Sequence, residues 1–238
     1  MGSRIDLGGD AVDVVFKDIK NIHLGVYPPD GRVRISAPAR LSLDTLRVFA
    51  ISKLPWIRQQ QRKLRAQVRE SPRVYLDRES HYLWGKRYLL KVVEEDAAPS
   101  VTLKRGAMVL RIRPGASEAA RQAIVGKWYR QQLKAAVPDR IAKWEPILGV
   151  RVQRFFVQRM KTRWGGCNTE ARTIRLNTEL AKKSRECLEY ILVHELVHLR
   201  ERLHTDRFNA LMEHCLPQWK QLRKLLNMAP LGHESWSY

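Results

Sequence analysis

One short run has the residue types for hydrolytic chemistry: His194-Glu195-Leu196-Val197-His198. On a helix the two histidines lie one turn apart and project from the same face. Two imidazoles at that spacing can grip one zinc ion. Glu195 beside them can reach a bound water without being a ligand. Zinc lowers the pKa of such a water toward ~7, and a carboxylate can take its proton as the water attacks a carbonyl. A five-residue motif with two free positions also arises by chance, so its setting decides its meaning. Leu188, Ile191, Leu192, Val193, Leu196, Val197 and Leu199 make the predicted helix apolar nearly all round. Such a helix belongs in a core. Two histidines and a glutamate there must be paired or metal-bound, because unpaired polar groups are costly to bury.

A catalytic zinc site takes three protein ligands and keeps one position open. His204 is the first candidate for the third ligand, giving H-E-x-x-H-x-x-E-x-x-H. That spacing resembles the metzincin run, except that Glu201 stands in place of glycine. Six helical residues advance ~9 Å, so the chain must leave the helix between Arg200 and Leu203 to bring His204 back. Glu213 and His214 on the following helix are the alternatives.

The flanking run 160–177 reads as a sheet edge beside the metal, where an extended peptide can pair by strand addition. Arg163 and Arg175 there can hold a carboxylate or phosphate oxygen. Arg163 is taken as a candidate active-site residue. The bland alternative is that Trp164 packs in the core, Gly165-Gly166 makes a turn and the arginines are solvated. Cys167 reads as a small buried hydrophobe. Residues 151–175 hold seven basic side chains against Glu170 alone, which predicts an electropositive mouth.

The elements that must position these groups follow from periodicity. Residues 11–38 alternate as strands around a Pro28–Arg32 turn, and 42–69 read as helix, split or kinked at Pro55. Residues 82–93 and 101–113 read as strand pairs about Gly85 and Arg105-Gly106. A helix is expected from Glu118 to about Glu145, punctuated at Pro138. Strands are expected over 151–160 and 173–176, joined by a loop. Ser184 suits the N-cap of the motif helix, and a closing helix is expected over 207–226. No internal repeat is apparent. The expected fold class is α+β, with a small N-terminal β-sheet and helix unit at 1–114 and a metallohydrolase domain at 115–238. Pro114-Gly115 marks the boundary.

The runs "RWGGC", "IRLN" and "LEYILVHELVHLRERLHTDRFNALMEHCLPQW" together resemble the YgjP-like (SprT/WLM-related) metallopeptidase family. "YLWGKRYLL", "WYRQQLKAAVPDRIAKWEPILGV" and "PWIRQQQRKL" extend the likeness over nearly the whole chain. The resemblance implies His194, His198 and His204 as zinc ligands, with Glu195 as the catalytic acid/base. It also implies a zincin-like catalytic half: long helix, short sheet, motif helix, closing helix. Gly166 departs from the family's usual serine and Asn209 from its usual tryptophan.

Composition bounds the setting. The 238 residues are 44% hydrophobic and carry 44 Lys+Arg against 24 Asp+Glu, a net charge of +20. That field attracts polyanions. No apolar run approaches a membrane span, residues 1–16 lack the apolar core of a secretory signal, and the cysteine count is odd. A cytoplasmic protein without disulfides or membrane partner is expected. Oligomeric state is not legible. Three functions compete: a zinc metallopeptidase acting on a protein or peptide; a metal-dependent hydrolase of nucleoside triphosphates or other phosphoanhydrides, though no P-loop supports it; and a nucleic-acid-binding protein with structural zinc, using the basic helix from Lys53 to Arg69. A DNA-associated protease would combine the first and third.

Overall fold

The computed structural model describes residues 3–27, 31–66, 74–160 and 163–228. They divide into two compact units, one within Met1–Pro72 and one within Arg73–Ala229.

The first unit is a four-stranded sheet of β1 (Ser3–Asp6), β2 (Ala11–Lys17), β3 (His23–Tyr27) and β4 (Arg32–Pro38), in the order β1-β2-β4-β3. β2 and β4 run parallel in the centre, and the outer strands pair antiparallel to them. Alternation buries Val12, Val14, Val33 and Ile35 together with Leu46, Ala50 and Ile57 of the helices that follow. Those helices are α1 (Leu43–Ser52) and α2 (Leu54–Ala66), parted at Lys53 just before Pro55 as expected. Residues 28–30 of the expected turn lie outside the described residues, but Tyr27 and Arg32 pair across it. Residues 67–69 of the expected basic helix also lie outside them. Within α2, Arg58 is tied to Asp10 at 3.1 Å.

The second unit begins with β5 (Ser80–Leu83), β6 (Lys86–Glu94), β7 (Ser100–Lys104) and β8 (Ala107–Ile112), in the order β5-β6-β8-β7. Its centre is again a parallel pair, so the first sheet's topology recurs. The sequence shows no repeat to match it, because a sheet needs only alternation and turns to recur. Trp84-Gly85 and Arg105-Gly106 form both hairpin turns with positive φ (50° and 78°; 45° and 83°), the mirror-image turns that match strand twist.

α3 (Glu118–Leu148) is one helix, not the punctuated one expected, with Pro138 and Pro146 inside it. Proline removes a backbone bond there. Burial of Val125, Tyr129, Leu133, Val137, Trp144 and Leu148 along its length holds the helix across that gap. Gly149, at φ 61°, ends it in the left-handed region. Three strands follow: β9 (Arg154–Gln158), β10 (Gly165–Asn168) and β11 (Thr173–Asn177), in the order β10-β11-β9. β10 falls where the periodicity placed a loop; it agrees with the reading of this run as a sheet edge and not with the alternative of a turn at Gly165-Gly166. Glycines depress strand propensity, but here β11 supplies the pairing and a neighbouring helix needs the space.

A 3-10 turn (Thr178–Lys182) leads into α4 (Arg185–Val197), then α5 (Asp206–Cys215) and α6 (Trp219–Met228). The single closing helix expected is therefore two, broken at Leu216-Pro217. The units part near residue 72, whereas Pro114-Gly115 only links β8 to α3. The reason is packing: Leu90, Met108, Leu110 and Ile112 share one core with residues of α3 and α4. The Trp84 N–H donates to Ala181 O at 2.8 Å and the Tyr129 hydroxyl to Tyr82 O at 2.8 Å. Among the described residues no helix is long and apolar enough to cross a membrane.

Candidate metal centre

α4 is fixed at both ends and along its side. Ser184 caps its start, accepting from Cys187 N–H at 3.4 Å. The Gly85 turn lies against that cap; a Cβ on Gly85 would sit 3.4 Å from Ser184 Cα. Glu189 accepts from Lys143 Nζ at 2.6 Å and Trp144 Nε1 at 2.9 Å, tying α4 to α3. Leu188, Leu192, Val193, Leu196 and Val197 are fully buried, as the apolar pattern required.

The helix ends where His204 needs it to. Past Val197 the chain makes one closing turn, with Glu201 N–H donating to Val197 O at 2.9 Å. Arg200 Nη1 donates to Leu148 O at 3.2 Å, holding that turn to the end of α3. No residue of 198–205 takes a positive φ, so no glycine is required. Thr205 then caps α5, accepting from Phe208 N–H at 3.3 Å.

The break brings three imidazoles together. One ligand atom from each of His194, His198 and His204 lies within 4.8 Å of the others. The Nε2 atoms of His194 and His204 are 3.2 Å apart. Nitrogens about 2.0–2.1 Å from a shared tetrahedral ion would be about 3.3 Å from each other. His198 Nδ1 lies 3.1 Å from Glu201 O, and since a carbonyl only accepts, Nδ1 carries the proton and Nε2 keeps its lone pair. His194 Nδ1 is buried without a hydrogen-bond partner. Burial, then the neighbouring His198 and His204, pushes His194 down to about 3. Burial also lowers His198, against the opposing pull of the Glu201 carbonyl. Neutral, convergent imidazoles are the form that binds a metal cation. The residues fit one.

Phe208 underlies all three, its ring centroid 5.0, 4.8 and 4.7 Å from those of His194, His198 and His204. Glu195 is 6% exposed and lies against β10. A Cβ on Gly165 would come within 2.6 Å of Glu195 Oε1 and 2.9 Å of Ile191 Cγ2, so only glycine admits the carboxylate there. Burial pushes Glu195 up to about 8, with Arg163 pulling the other way.

A cleft of about 740 Å³ opens over these groups. Arg163, exposed, lies on its wall, as do Arg175 and Arg202. Cys167 also lines it but stands outside the histidine group, its thiol pushed up to about 11 by burial and then by Glu195. Glu213 and His214 are exposed on α5, and Glu213 instead accepts from Trp219 Nε1 at 2.8 Å. His204 is thus the residue brought to the other two.

Sequence reasoning missed four contributors. Tyr190, one turn before His194 on the same face, lines the cleft with its ring 6.0 Å from that of His194. Phe208 and Arg202 were passed over as helix and loop. Asn177, 5% exposed, explains "IRLN": its amide donates to Met160 O and Arg163 O, both at 2.8 Å, and fixes the approach to β10.

The profile described as "YgjP-like, metallopeptidase domain" matches residues 20–229. The chain belongs to the YgjP-like metallopeptidase family. A metallopeptidase domain implies a metal ion, and the histidine triad is a group that could hold it. Among curated proteins none matches. Of solved structures, the metallopeptidase zymogen abylysin of Pyrococcus abyssi is 24% identical, over 38% of this chain and 90% of its own, with a TM-score of 0.36. The zymogen jannalysin of Methanocaldococcus jannaschii is 19% identical, over 37% and 90%, with a TM-score of 0.33.

Proposed function

We propose that this YgjP-like chain is a zinc-dependent peptidase of zincin-like design, with Glu195 as its general base. The observation that carries the reading is the junction of three convergent histidines with a buried glutamate beside the edge strand β10. His194, His198 and His204 would hold the ion. When bound, zinc supplies Lewis-acid chemistry: it acidifies water and polarises a carbonyl. Three ligands leave a tetrahedral ion one position short, which favours a catalytic over a structural role.

The chain's own residues do the rest. The outer edge of β10 is unpaired among the described residues and aligns an extended peptide by strand addition. Glu195 accepts the proton of the attacking water as the water oxygen bonds to the carbonyl carbon. It then delivers that proton to the amide nitrogen as the C–N bond breaks. Phe208 keeps the imidazoles apart from bulk water on one side. Arg163 acts through Glu195, favouring its charged form.

Zinc-loaded protein is incubated with unfolded protein and peptide substrates, beside chelator-treated protein and Glu195→Gln. Cleavage that chelator and Glu195→Gln both abolish is expected; cleavage indifferent to either refutes the assignment. One observation favours a second reading. The arginines of the cleft would also clamp phosphates, so the same base could serve hydrolysis of a nucleoside triphosphate. A nucleotide panel tests this, and phosphate release unchanged in Glu195→Gln excludes this site as its source.

A further inference from the structure

The cleft wall is asymmetric in charge. Arg163, Arg175 and Arg202 line it, against the carboxylates Glu170 and the buried Glu195. All three arginines are exposed, and among the described residues none is in an ion pair. They come from different elements. Arg163 precedes β10, Arg175 lies in β11, and Arg202 sits in the loop that carries His204. Guanidinium groups therefore border the cleft from the sheet side and from the loop side.

Arg175 is the best placed of them. It is on the middle strand of its sheet, so β10 stands between it and the edge that a substrate would join. Its cross-strand partner on β10 is Gly166. Directly opposed residues project from the same face, and glycine leaves that face bare. A Cβ on Gly166 would meet nothing nearer than Met160 Cε at 3.9 Å. Arg175 thus lies on the sheet face opposite Glu195 and borders the cleft over the bare face of Gly166, where alternate side chains of a peptide paired to β10 would project. On its other side its guanidinium lies 5.9 Å from the centre of the Phe156 ring, which Arg154 also faces at 6.0 Å. That cation–π contact, at the outer end of its range, favours a guanidinium over an uncharged group beside Phe156.

We propose that the cleft selects extended peptides with an aspartate or glutamate beside the scissile bond, and that Arg175 sets this preference. The proposal rests on the peptidase reading above. A carboxylate is the side chain whose two oxygens match a guanidinium fork. Lysine and arginine side chains are repelled from the same wall, so discrimination comes from both directions.

The test uses one peptide frame carrying Glu, Gln or Lys in turn at each position flanking the cleaved bond. Binding to zinc-loaded Glu195→Gln protein is read by fluorescence anisotropy, and cleavage by the zinc-loaded wild type is read separately. At one or more positions Glu is expected to bind about two- to fivefold tighter than Gln, and Lys weaker than both. Raising salt should shrink the difference. Arg175→Ala should bring Glu and Gln to parity, and Arg175→Glu should turn the preference toward Lys. Gly166→Ser, which fills the bare face without a clash, should reduce the Glu preference. Equal binding of Glu and Gln peptides overturns the proposal even if peptides are cut. So does a Glu preference that Arg175→Ala leaves intact. Selective binding without cleavage by the wild type refutes the peptidase reading while acidic-peptide recognition stands. Neither binding nor cleavage refutes both.

Discussion

Gly165→Ala tests whether the position of Glu195, rather than its mere presence, governs activity. The added Cβ would lie 2.6 Å from Glu195 Oε1, 2.9 Å from its Cγ and 2.9 Å from Ile191 Cγ2. Ordinary contact is roughly 0.8 Å longer than the shortest of these. Ile191 is buried in the core and β10 is paired to β11, so neither yields easily. The carboxylate is the group free to retreat, and it moves by most of that distance. Displacement of a reacting group by about 1 Å costs on the order of 10²-fold in rate. The histidines are not touched, so the protein should still bind one zinc. The assay is kcat/KM on a cleaved peptide, with bound zinc measured on the same sample. A fall of about a hundredfold with zinc retained is expected. Activity within a few-fold of wild type, with zinc bound, would show that Glu195 need not sit against β10 and would undo the geometric case for its role.

Three further predictions follow from the packing. Metal-free protein should lose stability as pH rises from about 6.5 to 8. Burial raises the folded pKa of Glu195 to about 8 from its ordinary value of 4.5, so its contribution is complete below 4.5 and lost on passing through 8. His194 acts below that window, because its folded pKa is lowered to about 3 from 6.5. Denaturant melts at stepped pH should show the decline in wild type but not in Glu195→Gln. Asn177→Ala should destabilise by about 2–4 kcal/mol, since it strips two carbonyls of their donor inside the unit; a loss below about 0.5 kcal/mol in urea melts would show those bonds to be dispensable. A fragment of residues 115–238 should fail to fold cooperatively, because Leu90, Met108, Leu110 and Ile112 leave its core, whereas 73–229 should give a single melting transition. A cooperative, soluble 115–238 fragment would contradict the shared core.

The site was more legible than the frame around it. His194, Glu195 and His198 follow from a helical period and an apolar setting, both local properties of the chain. His204 required a helix break that no glycine announces, and the family resemblance carried it. Gly165 and Gly166 read two ways, since glycine in isolation signals a turn. Their role appears only once Glu195 stands behind one and Arg175 beside the other. Proline misled in both directions: Pro138 lies within a continuous helix sustained by burial on either side, while Pro217 parts two helices expected as one. The repeated sheet topology escaped notice because pairing order is a long-range property. Side chains in the two sheets share alternation, not identity.

The main chain of Glu201 closes the last helical turn through its N–H and, through its carbonyl, sets which nitrogen of His198 is free. Both tasks belong to the main chain. Mutation can change the side chain at 201 without deleting that oxygen. The interior of the motif is therefore free to drift in sequence while the ligand's proton stays in place. Glu201 stands where the metzincin spacing has glycine, and the backbone there does its work whichever side chain it carries.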